Sequence, residues 1–312
     1  MPRSSTRLPS WQLFAIAVVI WGTTWHAILY QLALTTPEVG VAWRFGVAGV
    51  LVLAFAAWRG DRLRSSAREH ALYALQGVFM YSLAYLAVYH AERHVPTGLV
   101  AVGYSASPLL AGIGARLLWR TPISARFLCG GALCVAGVSL IFWPEFAQVA
   151  QGGATARGAA FTVAAVLLSA VGSLAASRNA SHGLPFWSAI GWGMVYGSAV
   201  SCVVAWLGGQ SFVMPSPAAA PSWWLSLAYL SVAGSVIAFA CFLTLQQRIG
   251  PGPASTIGVM TPVLALFISM LFENFHPTAL TWAGAALAML GNALILAPRR
   301  LPRAPISAFG KG

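Results

Sequence analysis

Long apolar runs separated by short polar gaps recur along this chain. They show neither the two-residue alternation of a half-buried strand nor the narrow apolar stripe of a helix on a soluble domain. Each run holds about 20 residues, enough for a helix to cross about 30 Å of hydrocarbon. Ten such helices are predicted, over 12–35, 38–58, 71–92, 96–118, 124–143, 158–180, 184–207, 222–246, 252–273 and 277–297. Turn residues and nearly all the charge fall in the gaps, which leave little room for an extramembrane domain. Hydrocarbon offers backbone amides no water, so runs of this kind satisfy themselves as helices. The pattern predicts an all-α integral membrane body.

The pattern is also written twice. Pro108 and Pro262 stand 154 positions apart, and the same offset carries Gly98 onto Gly252. It carries Gly130-Gly131-Ala132-Leu133 with Gly137 onto Gly284-Ala285-Ala286-Leu287 with Gly291. Two five-helix units are therefore predicted: residues 1–150 with helices 1–5, and residues 151–312 with helices 6–10 and a basic tail. Five is odd, so the second unit enters the membrane from the opposite side. The ten helices then form two inverted repeats around a central cavity, with alternating access by rocking one bundle against the other.

Composition and charge sharpen this picture. The chain is 58% hydrophobic and 8% charged, with a mean hydropathy of +0.75, which excludes an ordinary soluble domain. With the N-terminus in the cytoplasm, Arg3, Arg7, Arg59, Arg62, Arg64, Arg68, Arg116, Arg120, Arg126, Arg178, Arg248, Arg299, Arg300, Arg303 and Lys311 all fall inside, 15 of the 18 basic residues. Arg93 and Arg157 fall outside and Arg44 lies within helix 2, while Glu38, Glu92, Glu145 and Glu273 lie near the outer face. This is the positive-inside pattern, with both termini cytoplasmic. A net charge of +12 is then accounted for by topology and by anionic lipid at the inner surface, with no nucleic-acid partner required. Arg3 and Arg7 ahead of an apolar run resemble a secretory signal, but the run continues through Trp21, Trp25 and Tyr30 with no small-residue cleavage pattern. Helix 1 is expected to stay uncleaved. Cys129, Cys134, Cys202 and Cys241 fall within spans without ligand spacing, so they read as packing residues, and neither a metal nor a cofactor is implied.

Several residues inside the spans can carry chemistry. Pro108 and Pro262 each free the carbonyl four residues earlier, on Tyr104 and Gly258. Ser105, Ser107 and Thr261 stand ready to satisfy what is freed. A static kink explains either proline alone; duplication at equivalent positions favours a hinge shared by both repeats. Tyr81, Tyr85 and Tyr89 recur at steps of four on helix 3, as Trp21 and Trp25 do on helix 1, with Thr24 and His26 alongside. With Tyr104 they can wall a wet chamber for a flat or amphiphilic solute. The competing reading is aromatic packing with an interfacial belt, expected to take in part of Tyr89 and Trp223 and Trp224. Arg44, about 9 Å along the helix from Glu38, either faces a cavity, where it can hold a carboxylate, or pins helix 2 to a neighbour or to outer headgroups. The repeated glycines on helices 5 and 10 permit close helix contact, within a monomer or across a homodimer.

The motifs Trp21-Gly22-Thr23-Thr24, Arg44-Phe45, and Pro262 through Glu273 followed by Gly284-x-x-Leu287-x-x-x-Gly291 resemble those of the EamA-like group in the drug/metabolite transporter superfamily. The first copy departs from the last motif, with Trp119 where the second has Glu273. The aromatic-rich helices 1, 3 and 4 are similar to those of YddG-type amino-acid exporters. The resemblance implies a multi-pass exporter in a bacterial inner membrane, in contact with lipid and carrying a small-molecule substrate, an amino acid or similar metabolite. Export of lipophilic cations or drugs fits the same aromatic residues. No carboxylate lies deep in a span, and coupling to protons would have to run through His26 or His90, so facilitated, gradient-driven export is expected. A membrane enzyme is disfavoured: the chain has no H-E-x-x-H, no G-x-S-x-G and no paired intramembrane Asp.

Overall fold

The computed structural model describes residues 8–141, 143, 153–272, 274 and 276–296. The described residues form helices and connections, with no strand. In chain order the helices are α1 (Ser10–Leu32), α2 (Pro37–Trp58), α3 (Ala67–Glu92), α4 (Thr97–Trp119), α5 (Ala125–Ile141), α6 (Ala154–Ser181), α7 (Phe186–Leu207), α8 (Pro221–Ile249), α9 (Pro251–Phe272) and α10 (Ala279–Leu296). All except α5 and α10 are long and apolar enough to cross a membrane, eight in all; those two are shorter apolar helices. Each predicted run is helical, with ends within four residues of the expected ones. Glu145 and Glu273 lie outside the described residues, as do the basic residues before Leu8 and after Leu296.

Local chemistry sets the helix ends. Pro37 and Pro221 stand in the first turns of α2 and α8, where a missing N–H costs nothing. Ser66 caps α3 by a capping box: its hydroxyl accepts from Glu69 N while the Glu69 carboxylate accepts from Ser66 N. Gly250 joins α8 to α9 at φ +86°, a conformation that favours glycine. Most of the described connections are short, as between α1 and α2 and between α8 and α9.

Three helices depart from α geometry. In α3 the residues Val78–Leu83, and in α8 the residues Leu230–Ile237, widen into π turns. In α4 the residues Tyr104–Ala106 tighten into a 3₁₀ turn just before Pro108. The two π segments overlap under the 154-residue offset read from the sequence.

Packing separates periphery from centre. α5 lies against α10 and α2 against α7, while α1, α3, α4, α6, α8 and α9 pack around the middle. The α5–α10 contact is reciprocal. A Cβ on Gly137 would sit 2.4 Å from the Gly284 carbonyl oxygen and one on Gly284 2.4 Å from that of Gly137, with the same distances between Gly130 and Gly291. The duplicated glycines thus face each other within the chain. Asn292 ties the same pair, donating to Cys134 Sγ at 3.5 Å. Elsewhere buried polar side chains pair across helices, as in Ser82 with Ser201 at 2.8 Å and Thr97 with Ser269 at 2.9 Å, which supplies in protein what lipid cannot.

Candidate functional site: a central aromatic cavity

The central helices converge on a cavity of about 100 Å³. From α1 come Trp21, Thr24, Trp25 and Ile28, a single stripe at helical spacing. Met80, Tyr85 and Val88 come from α3, Tyr104 and Ser107 from α4, and Ser169 and Ala170 from α6. Phe239 and Phe242 of α8, with Ser255, Gly258 and Thr261 of α9, complete the wall. Trp21 packs edge-on to Phe239 at 5.0 Å between centroids, and Trp25 edge-on to Tyr104 at 5.4 Å. Such edge-to-face contacts fix ring orientation.

The two proline breaks meet at this cavity. The Tyr104 carbonyl oxygen lies 3.0 Å from where a Cβ on Gly258 would stand. The two residues predicted to carry freed carbonyls are therefore packed together, and a side chain at Gly258 would crowd the Tyr104 carbonyl. Ser107 and Thr261, each just ahead of a proline, also line the wall.

Polar groups around the cavity fall into two sets. Tyr104 Oη pairs with Ser169 Oγ at 3.0 Å, and Trp21 Nε1 donates to the Gly234 carbonyl at 3.1 Å. Trp25 Nε1 and Ser107 Oγ are buried, yet neither has a partner among the described residues. A buried polar group left unsatisfied costs about 1–3 kcal/mol, so a solute that supplied its partner would recover that cost.

Trp21, Thr24, Trp25, Tyr85 and Tyr104 are thus brought together, while Arg44, Tyr81 and Ser105 are not on the wall. Arg44 is not on the cavity wall; it is fully buried, 4.6 Å from the Tyr85 ring centroid, in the geometry of the alternative expected for it, a pin between helix 2 and a neighbour. Its Nε donates to Ser235 Oγ at 3.0 Å, and Ser235 in turn donates to the Leu230 carbonyl in the π segment of α8. Arg44 Nη1 and Nη2 have no hydrogen-bond partner among the described residues. Tyr81 is buried and accepts from Gln76 Nε2 at 3.2 Å. It misses the Tyr85 face because the π turn around it shifts the helical phase. Ser105 is buried beside the cavity wall.

Two residues named for the competing reading of aromatic packing with an interfacial belt are packed inside the protein. Tyr89 is fully buried and donates to Gln31 Oε1 at 2.7 Å. Trp223 is fully buried in a small cluster with Ala220 and Leu227. His26 lies 5.0 Å from the Phe272 ring on the α1–α9 surface, and His90 contacts the Glu38 carboxylate at 2.8 Å at the end of α2.

Phe239 and Phe242 were missed from the sequence, although a usable signal existed. The 154-residue offset carries Tyr85 onto Phe239, Val88 onto Phe242, Tyr104 onto Gly258 and Ser107 onto Thr261. All eight line the same cavity. Ser169 had no such signal, since its role depends on a tyrosine 65 residues away.

The sequence profile of the EamA-like transporter family matches residues 9–143 and again residues 156–297. The chain belongs to the EamA-like transporter family. It is a multi-pass membrane protein of the drug/metabolite transporter superfamily. It is 26% identical over 304 residues to the uncharacterized inner membrane transporter YedA of Escherichia coli K12, covering 95% of this chain and 93% of YedA. A WAT1-related chloroplastic protein of Arabidopsis thaliana is 23% identical, covering 92% of this chain and 69% of that protein. A solved crystal structure shares the fold with a TM-score of 0.68 at 19% identity, over 91% of this chain and 95% of that one.

Proposed function

We propose that this family member exports aromatic and other neutral amino acids through the central cavity by alternating access. In this reading all ten helices cross the membrane as two inverted five-helix repeats, both termini are cytoplasmic, and Pro108 and Pro262 are the hinges. The pairing of repeat-equivalent residues around one cavity supports the inversion, because a pseudo-two-fold axis through the cavity brings equivalent positions to it.

One observation carries the substrate class: the aromatic cavity keeps Trp25 Nε1 and Ser107 Oγ without partners. Indole N–H only donates, and a hydroxyl can donate. A carboxylate accepts from both, while the rings pack on an apolar or aromatic side chain. Arg44 lies one ring behind this wall, and its charge favours a carboxylate over a cation across a dry layer. A second reading rests on the same ring. Because the Tyr85 ring keeps Arg44 out of direct contact with a solute, the π faces can also hold a lipophilic cation.

The two are separated by counterflow in proteoliposomes preloaded with tryptophan, phenylalanine, threonine or methionine. Accelerated uptake of the labelled amino acid is expected. No exchange of any of them, together with transport of a lipophilic cation, would move the assignment to the second reading.

A further inference from the structure

A larger cavity, about 590 Å³, opens at one end of the bundle between α3, α6, α7 and α8. The Arg62-bearing α2–α3 connection lies on α7 at this end, with Ser188 Oγ donating to the Arg62 carbonyl and Trp192 Nε1 to that of Leu63. By the positive-inside pattern this is the cytoplasmic end. The cavity is separated from the aromatic one by about a helical turn. Met80, Ala170 and Phe242 line the central cavity, and Gln76, Ala176 and Gln246 line this one.

Its polar wall is built and uncharged. Gln76, Asn179 and Gln246 are each more than nine-tenths buried, and the lining holds no Asp, Glu, Lys or Arg. The amides are oriented by one another. Asn179 Nδ2 donates to Gln76 Oε1 at 2.8 Å and to the Leu72 carbonyl at 3.3 Å. Gln246 accepts from Ser173 Oγ at 3.2 Å, donates to the Ser173 carbonyl at 2.7 Å, and donates to Ser177 Oγ. These bonds consume the donors of Asn179 and leave its Oδ1 without a protein donor among the described residues. They also occupy Ser177 Oγ as an acceptor, leaving its proton to donate. An acceptor and a donor therefore face a pocket without charged side chains, whose remaining wall is apolar at Phe186, Ile190 and Leu243 and polar at Ser181 and Gln247.

We propose that this cavity is a loading site for a zwitterionic solute, holding it before it passes the Gln246 layer into the aromatic cavity. The inference rests on the central cavity being the transport site. An ammonium donates to Asn179 Oδ1 and a carboxylate accepts from Ser177. A pocket without net charge favours neither a free cation nor a free anion.

The test is equilibrium binding of tritiated tryptophan to the full-length protein in nanodiscs. Two equivalents per chain are expected. Asn179→Leu should remove one and Tyr85→Ala the other. Ser177→Ala keeps the Gln246–Ser173 bonds and so guards against misfolding of the first variant. It should weaken one site by about tenfold or more, the loss of one hydrogen bond to a charged group. A single equivalent lost in Tyr85→Ala and untouched by Asn179→Leu and Ser177→Ala overturns the loading site and leaves the central one standing. A single equivalent with the opposite sensitivity overturns the central site, and the loading role with it. No binding by the wild type overturns both.

Discussion

Arg44 shows what a single residue can reveal before and after the fold is known. A charge within an apolar run marks it from the sequence alone. Which way it points depends on helix rotation and on neighbours far away in the chain, chiefly Ser235 and Tyr85. Its two terminal nitrogens have no hydrogen-bond partner among the described residues, an arrangement that costs stability. Function is the natural reason to keep it. Arg44→Met is therefore expected to raise the thermal midpoint by about 1.5 °C, equivalent to about 1 kcal/mol in a chain of 312 residues, while amino-acid counterflow is lost. Arg44→Lys keeps the charge but loses the Nε–Ser235 bond that positions it, so it should retain the fold and transport carboxylate substrates at a reduced rate. Melting curves and counterflow on the same preparations check both; a lower midpoint with intact transport would assign Arg44 to packing alone. The tyrosine stripe was legible to the same degree. Periodicity identified the residues, but the π turn at Val78–Leu83 moved Tyr81 off the face of Tyr85, and nothing in the spacing announces a π turn.

Elements were more legible than residues because hydrocarbon leaves the backbone few choices. Apolar length located every helix, and turn residues set most ends. Helix pairing was readable only where small residues repeat. Gly130, Gly137, Gly284 and Gly291 mark two helix faces, and the structure closes those faces on each other with each glycine against the partner's carbonyl. A Cβ at Gly137 would fall 2.4 Å from the Gly284 oxygen, so a side chain there has to force α5 and α10 apart. Gly137→Leu is expected to destabilise the protein by roughly 1–3 kcal/mol, the usual cost of overpacking. Thermal unfolding in detergent measures this. Counterflow per folded molecule should hold near the wild-type rate, because this contact lies away from the cavity; a selective loss of rate would make the α5–α10 pair part of the moving machinery. The pairings of α1 with α9 and of α3 with α6 rest on single glycines, Gly22 against Leu264 and Gly172 against Met80, which carry no repeated mark in the sequence.

At the scale of the molecule, two layers close the aromatic cavity toward the two ends. On one side Tyr89 of α3 bonds Gln31 of α1; on the other Gln246 of α8 bonds Ser173 and Ser177 of α6. The 154-residue offset carries Tyr89 to Leu243 and Glu92 to Gln246, so equivalent stretches of the two halves supply both closures with different side chains. In the proposed alternating-access cycle, one neutral hydrogen-bonded layer would break at a time. Neither of these bonds involves an ionised group. The described carboxylates stand outside the cavity wall: Glu38 is held by His90 at 2.8 Å and by Gln210 at 2.9 Å, and Glu92 closes α3. His26 packs against Phe272 and Tyr30. The cavity wall itself offers no His, Asp or Glu to carry a proton between the two sides. A proton-coupled cycle needs such a group exposed alternately to each side. Amino-acid exchange is therefore expected to run at the same rate with and without an imposed pH gradient, in either direction. Labelled counterflow at equal and at unequal pH across the vesicle membrane measures this. A rate that follows the gradient, and that His26→Gln or His90→Gln abolishes, would replace the facilitator with an antiporter built on that histidine.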